Sequence, residues 1–175
     1  MSDVRMQITT KTLDLGCGSK PRNLFNMDEI FGVDIKNNSN PNIVNADLAV
    51  EPIPFPDNFF DSVTAFDFIE HIPRVIYNPN RRFCFVELVN EIYRVLKVGG
   101  IFCSSTPAYP APEAFTDPTH VNIITDQTFP IYFDDTHRFA SMYGYSGYFK
   151  IENQQRNESQ SHLITFMKKV IPSNK

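Results

Sequence analysis

The chain has 175 residues, of which 42% are hydrophobic and 21% charged, and a formal net charge of −4. That length suffices for one domain with a sizeable core, and the composition is that of a soluble globular protein. The acidic balance, with no basic run longer than Arg81-Arg82 or Lys168-Lys169, argues against a nucleic-acid partner.

The first strand is expected at Leu13 to Leu15, running into the turn Gly16-Cys17-Gly18-Ser19-Lys20. Pro21 then suits the first position of a helix, where its missing N–H costs nothing. Ile30 to Ile35 reads as a second strand ending on the acid Asp34, Asn42 to Ala46 as a short third, Asp61 to Phe66 as a fourth and Ile101 to Ser105 as a fifth. These runs are apolar and mostly non-alternating, as in strands buried on both faces of a parallel sheet. Phe83 to Leu96 is the clearest helix, because Phe85, Leu88, Val89, Ile92, Val95 and Leu96 recur at three- and four-residue steps. Gly99-Gly100 is expected to stop it.

From Thr106 to Phe139 the character changes. Five prolines and several aromatics make a long, ordered connection, with helices expected near Asp126 to Phe133 and near Thr136 to Tyr143. Tyr148 to Glu152 and His162 to Met167 alternate as a terminal antiparallel hairpin, with polar Asn153 to Ser161 as a long loop between them. Strands alternating with helices predict an α/β, doubly wound Rossmann-like domain over residues 1–175, with a Pro-rich substrate-side insertion at about 106–139.

The remaining composition is quiet. No stretch is apolar and long enough to span a membrane, and Met1 to Thr10 hold no apolar run of the signal-peptide kind. Cys17, Cys84 and Cys103 have no metal spacing and read as small core-like thiols in a reducing cytoplasm.

The chemistry-bearing residues cluster at the carboxyl ends of these strands, where ligands sit in open α/β sheets. Gly16 and Gly18 let the backbone approach a ligand closely. Asp34 lies eighteen residues beyond Gly16, close to the spacing of about 20 for ribose-binding acids in related folds. Asp14, two residues before Gly16, would repel a pyrophosphate, and Pro21 stands where a dinucleotide fingerprint has its last glycine. Both disfavour a nicotinamide cofactor.

In order, Leu13-Asp14-Leu15-Gly16-Cys17-Gly18, Gly32-Val33-Asp34, Ala46-Asp47-Leu48, Phe55-Pro56-Asp57-Asn58-Phe59-Phe60-Asp61, Glu70-His71-Ile72 and Leu96-Lys97-Val98-Gly99-Gly100 resemble the motifs of class I S-adenosylmethionine-dependent methyltransferases, type 11 small-molecule family. The resemblance implies a mostly parallel seven-stranded sheet with a C-terminal antiparallel hairpin. It implies that S-adenosylmethionine meets Asp14, Gly16, Cys17, Gly18, Asp34, Ile35, Asp47, Leu48, Phe66 and Asp67. Asp34 would accept from the ribose hydroxyls, Asp47 from the adenine amine, and the Leu48 N–H would reach a ring nitrogen. Phe66 and Asp67 would face the methionyl end, and Asp14 would chiefly orient the loop. Few residues precede the first strand, so the pocket is expected to be more open than in many relatives, or to be covered by the Pro-rich segment or by a second copy of the chain in a homodimer.

The catalytic candidates are His120, Asp117 and His71, with Glu113 as a further acid nearby in the chain. The run Asp117-Pro118-Thr119-His120-Val121-Asn122 follows the fifth strand and resembles a segment of enzymes from sugar and glycan pathways. His120 is expected as base, supported by Asp117 or Asn122. On a helix Asp67, Glu70 and His71 would share a face, and such side chains suit a divalent cation. Glu-His at this place also packs or hydrogen-bonds without a metal, and no metal is expected. The acceptor pocket is expected to use Tyr109, Phe115, His120, Phe129 and Tyr132. The proline-proline-aromatic motif of nucleic-acid amino-methyltransferases is replaced by Phe66-Asp67-Phe68-Ile69. The expectation is therefore methyl transfer to a small molecule or soluble glycan-type acceptor, or else a regulatory protein that binds the cofactor without chemistry.

Overall fold

The computed structural model describes residues 9–172. Its strands are β1 (Lys11–Leu15), β2 (Glu29–Asp34), β3 (Ile43–Asn45), β4 (Phe60–Phe66), β5 (Leu96–Pro107), β6 (Phe149–Arg156) and β7 (His162–Lys169). They form one seven-stranded sheet in the order β3-β2-β1-β4-β5-β7-β6. β1 to β5 pair in parallel, and β7 enters antiparallel between β5 and β6. This is the α/β architecture that the strand pattern implies.

Period-two alternation divides the work of each strand. In β1, Leu13 and Leu15 are buried in the apolar core. Thr12 and Asp14 point the other way and bond to β4, through Ser62 Oγ–Thr12 Oγ1 at 2.8 Å and Thr64 Oγ1–Asp14 Oδ1 at 2.7 Å. The apolar face receives helix α1 (Cys84–Val95), whose buried Phe85, Leu88, Val89, Ile92 and Val95 form one stripe. Each such side chain contributes about 1.5–3 kcal/mol by leaving water.

Three local expectations are corrected. No helix follows Pro21; residues 19–28 form turns. Asn23 bonds both the N–H and the C=O of Met27, and Asp14 Oδ2 takes the Arg22 N–H at 2.8 Å. Such side-chain bonds offer the backbone an alternative to a helix. This loop lies on the second face of the sheet, with Phe25 edge-on to Phe166 of β7. Gly99-Gly100 does not stop α1, which ends at Val95 and passes straight into β5. The glycines sit in an irregularity of β5, where the pairing shifts between Phe60 and Ser62, with Gly99 at φ +81°. The terminal hairpin loop is shorter than expected, because β6 continues to Arg156. β6 is an edge strand, and polar side chains there face water without ending the ladder.

The long connection after β5 carries α2 (Glu113–Thr116), α3 (Thr128–Tyr132) and a 3-10 turn (Phe139–Tyr143). Phe129 and Phe133 anchor it against Phe85 of α1. A second 3-10 turn, Ile69–His71, follows β4.

Candidate active site

The turn after β1 lies where the strand order reverses between β2 and β4, the usual ligand position in such sheets. Gly16 and Cys17 both donate to the Val33 carbonyl, at 2.9 and 3.3 Å. Gly16 and Gly18 have φ of +65° and +59°, a conformation that glycine adopts without strain. A Cβ at Gly16 would meet the Phe68 ring at 2.4 Å, whereas one at Gly18 would point into open space. Asp34, ending β2, closes the turn: its carboxylate accepts the Gly18 N–H at 2.8 Å and the Lys36 N–H at 2.9 Å. Each oxygen keeps a lone pair for a further donor.

Asp14 is buried, and burial raises its carboxyl above the ordinary value against the pull of Thr64 and Arg22. With its bonds to those two groups it orients the loop. Cys17 turns its side chain onto Gly32, where a Cβ would come within 2.4 Å of the sulfur. Burial, then the Asp14 and Asp34 carboxylates, push this thiol up to about 11. The half-buried Cys17 also keeps its backbone at the turn. Ile35 is 64% exposed beside Asp34. Asp47 accepts the Ala49 N–H at 3.0 Å, and Leu48 is buried. Arg22 stacks its guanidinium 4.6 Å from the Phe66 ring centre.

Asp67 departs from the helical expectation. Its φ of +50° ends β4 abruptly and takes it off any face shared with Glu70 and His71. Instead it meets His162 Nε2 of β7 at 2.9 Å. His162 Nδ1 lies 2.8 Å from Ser161 Oγ.

The catalytic candidates lie on the 3-10 turn Ile69–His71 and on the segment at 117–122. Val121 and Asn122 both donate to the Glu70 carbonyl at 2.9 Å, which pins the segment to the turn. Asp117 does not meet His120. It accepts from Thr119 Oγ1 at 2.6 Å, and the same Oγ1 lies 3.0 Å from His71 Nδ1. Bonds from Thr119 hold the Asp117 carboxyl below its ordinary value, with help from the two imidazoles. Asn122 is buried and occupied elsewhere, donating to the Ile69 carbonyl at 3.1 Å and accepting from Arg74 Nε at 2.8 Å. His120 sits edge-on to His71 with ring centres 4.9 Å apart. Glu70 is buried, and burial raises its carboxyl. Of the expected acceptor-pocket aromatics, Tyr109 and Phe115 are exposed and edge-on to each other at 6.4 Å. Phe129 is fully buried core and cannot touch an acceptor. Tyr132 lines a cavity of about 380 Å³ with Arg74, Phe83 and Tyr143. His162 and Arg22 carried no sequence signal, because the partner of His162 is 95 residues away and Arg22 acts through its backbone N–H and a ring contact, while Thr119 stood in the Asp117–Asn122 run with no role of its own.

The profile of the family described as a methyltransferase domain matches residues 13–104. The chain belongs to this methyltransferase domain family. Among solved structures, an S-adenosylmethionine-dependent methyltransferase from Archaeoglobus fulgidus is similar with a TM-score of 0.61 and 19% identity, over 92% of this chain and 86% of that one. One from Mesorhizobium loti has a TM-score of 0.60 and 14% identity, over 92% and 91%. The [4+2]-cyclase SpnF has a TM-score of 0.59 and 14% identity, over 94% and 76%. No curated protein sequence matches. The cofactor of the methyltransferase domain is S-adenosylmethionine. The residues present fit it, since open space lies over Gly18 and Asp34 retains acceptor capacity beside it. Among the described residues, no helix is long and apolar enough to cross a membrane.

Proposed function

We propose that this methyltransferase domain transfers a methyl group from S-adenosylmethionine to a hydroxyl-bearing small molecule or soluble glycan-type acceptor. The observation that carries this reading is the Asp34 carboxylate, fastened to the Gly18 N–H across the turn between β1 and β2. A carboxylate so fixed is prepared to accept the ribose hydroxyls. Gly16, Cys17 and Gly18 present backbone to the methionyl end, and Asp14 keeps that loop in place. Ile35 flanks the adenine, Asp47 accepts from its amine, and the Leu48 N–H donates to its ring. Phe66 and Asp67 border the sulfur end.

When bound, S-adenosylmethionine supplies an electrophilic methyl group, so the hard chemistry is the cofactor's. The protein's part is alignment and proton handling. Alignment at near-attack distance supplies much of the acceleration in such displacements. The acceptor's proton leaves toward His71, His120 and Asp117, which lie together after β4 and β5. The connection at 106–139 forms the acceptor's wall, with Tyr109 and Phe115 as its exposed apolar surface.

A second reading is a regulatory protein that binds the cofactor without catalysis. It draws on the exposure of this wall and on a cyclase sharing the fold, since fold alone does not fix chemistry. Calorimetry with S-adenosylmethionine and S-adenosylhomocysteine should show saturable binding of both. Labelled methyl should then pass to a panel of hydroxylated small molecules or soluble oligosaccharides. Binding with no transfer across the panel favours the regulatory reading, and absence of binding overturns both.

A further inference from the structure

The side chains of Glu70, His71 and His120 each bring one ligating atom within 4.8 Å of the others. Two of these residues hold a buried polar atom with no hydrogen-bond partner: Glu70 Oε1 and His120 Nδ1. Glu70 is only 1% exposed. A buried carboxylate oxygen left unpaired is costly, and such atoms in a folded protein call for an explanation. Thr106 Oγ1 occupies Glu70 Oε2 at 2.8 Å and leaves Oε1 as the free oxygen.

His71 is prepared by its own chain of bonds. Thr119 Oγ1 gives its single proton to Asp117, so it meets His71 Nδ1 as an acceptor. The proton of neutral His71 then sits on Nδ1, and Nε2 carries the lone pair. A carboxylate acting through a relay to fix the tautomer of a histidine is the outer-shell pattern of metal-binding imidazoles. The two backbone bonds to the Glu70 carbonyl hold His120 against the turn without any ion.

We propose that Glu70, His71 and His120 bind one divalent first-row transition-metal ion. One carboxylate and two imidazoles suit zinc, manganese, cobalt or iron better than magnesium or calcium. The bonds to such an ion are about 2.0–2.2 Å, so a small inward closure of the three side chains completes the site. The remaining coordination positions would take an oxygen of the methyl acceptor. This role rests on the reading of the cluster as the acceptor's side. It reverses the sequence expectation of no metal, and it makes His71 and His120 ligands instead of free bases. Asp67, held by His162, stays outside the set.

The test is cobalt titration of tag-free, metal-stripped protein, read by visible d–d absorption. One saturating ion per chain is expected, with affinity at least about tenfold weaker in Glu70→Gln and His120→Asn. Thr119→Val, which breaks the relay to His71, should weaken binding by about tenfold. His137→Ala, an exposed histidine elsewhere, should leave the spectrum unchanged. Circular dichroism establishes that each variant is folded, and the Thr119 and His137 variants carry the test should a cluster variant fail to fold. No saturable band, or a band unmoved by folded cluster and Thr119 variants, overturns the site. Calorimetry with S-adenosylmethionine on the metal-stripped protein reads the cofactor end separately. Cofactor heat without a cobalt band rejects the ion and keeps methyl transfer. A cobalt band without cofactor heat keeps the site and rejects that role for it.

Discussion

The cofactor end and the acceptor end share one edge of the sheet but are built by different means. At the cofactor end, loop backbone groups meet carboxylates eight or sixteen residues away, since Asp34 holds Gly18 and Asp14 holds Arg22, and the Thr64–Asp14 bond is the longer tie to β4. At the acceptor end, side chains meet across much longer stretches. His71 meets Thr119 after 48 residues, and Asp67, at the border with the cofactor end, meets His162 after 95. The first kind of site survives changes of loop length elsewhere. The second depends on β5, β7 and the 106–139 connection all being in register. A family can thus keep its methyl donor while its acceptor changes.

Substitutions should separate the two ends. The largest effect is expected from His120→Ala, which removes either the proton acceptor or a ligand of the proposed ion and should lower turnover by about a hundredfold or more while leaving cofactor affinity unchanged. Equal losses of affinity and turnover would break the separation. Next is Cys17, whose raised thiol pKa lowers the thiolate fraction at neutral pH. Alkylation near pH 8 should therefore be on the order of a hundredfold slower than for a free thiol, and the rate should climb until about pH 11. Mass spectrometry of the labelled peptide checks this. Asp34→Ala should weaken S-adenosylmethionine binding by about tenfold to a hundredfold, the worth of a charged hydrogen bond, read by calorimetry. The smallest effect is expected from Phe115→Ala. It should raise the acceptor KM by only a few fold, because the ring is 54% exposed and removes little apolar area from water. A larger loss there would show a pocket that closes on the acceptor.

The same division explains what could be read in advance. The five parallel strands were visible as short apolar runs, and α1 as a stripe of Phe85, Leu88, Val89, Ile92 and Val95. Asp14, Gly16, Gly18 and Asp34 were visible because their spacing is local. The turns after Pro21 were hidden, since single bonds from Asn23 and Asp14 decide them. The burial of Phe129 was hidden because an aromatic in a Pro-rich loop reads the same whether it faces a ligand or Phe85. That Asp67 leaves the face of Glu70 and His71 was hidden because a left-handed residue cannot be seen in the string Phe66-Asp67-Phe68. Asp117 was paired with the nearest histidine in sequence, whereas the fold joins it to His71 through Thr119.

The pairing of Asp67 with His162 also sets an order of events during synthesis. The cofactor turn and its acid are complete once β4 and the residues after it are in place, because Thr64 holds Asp14 and Phe68 packs on Gly16. Asp67 waits until β7 has slotted between β5 and β6, a late, long-range closure of the kind that slows folding. The Asp67–His162 pair therefore ties the turn after β4 to the C-terminal strand only when the whole sheet is assembled.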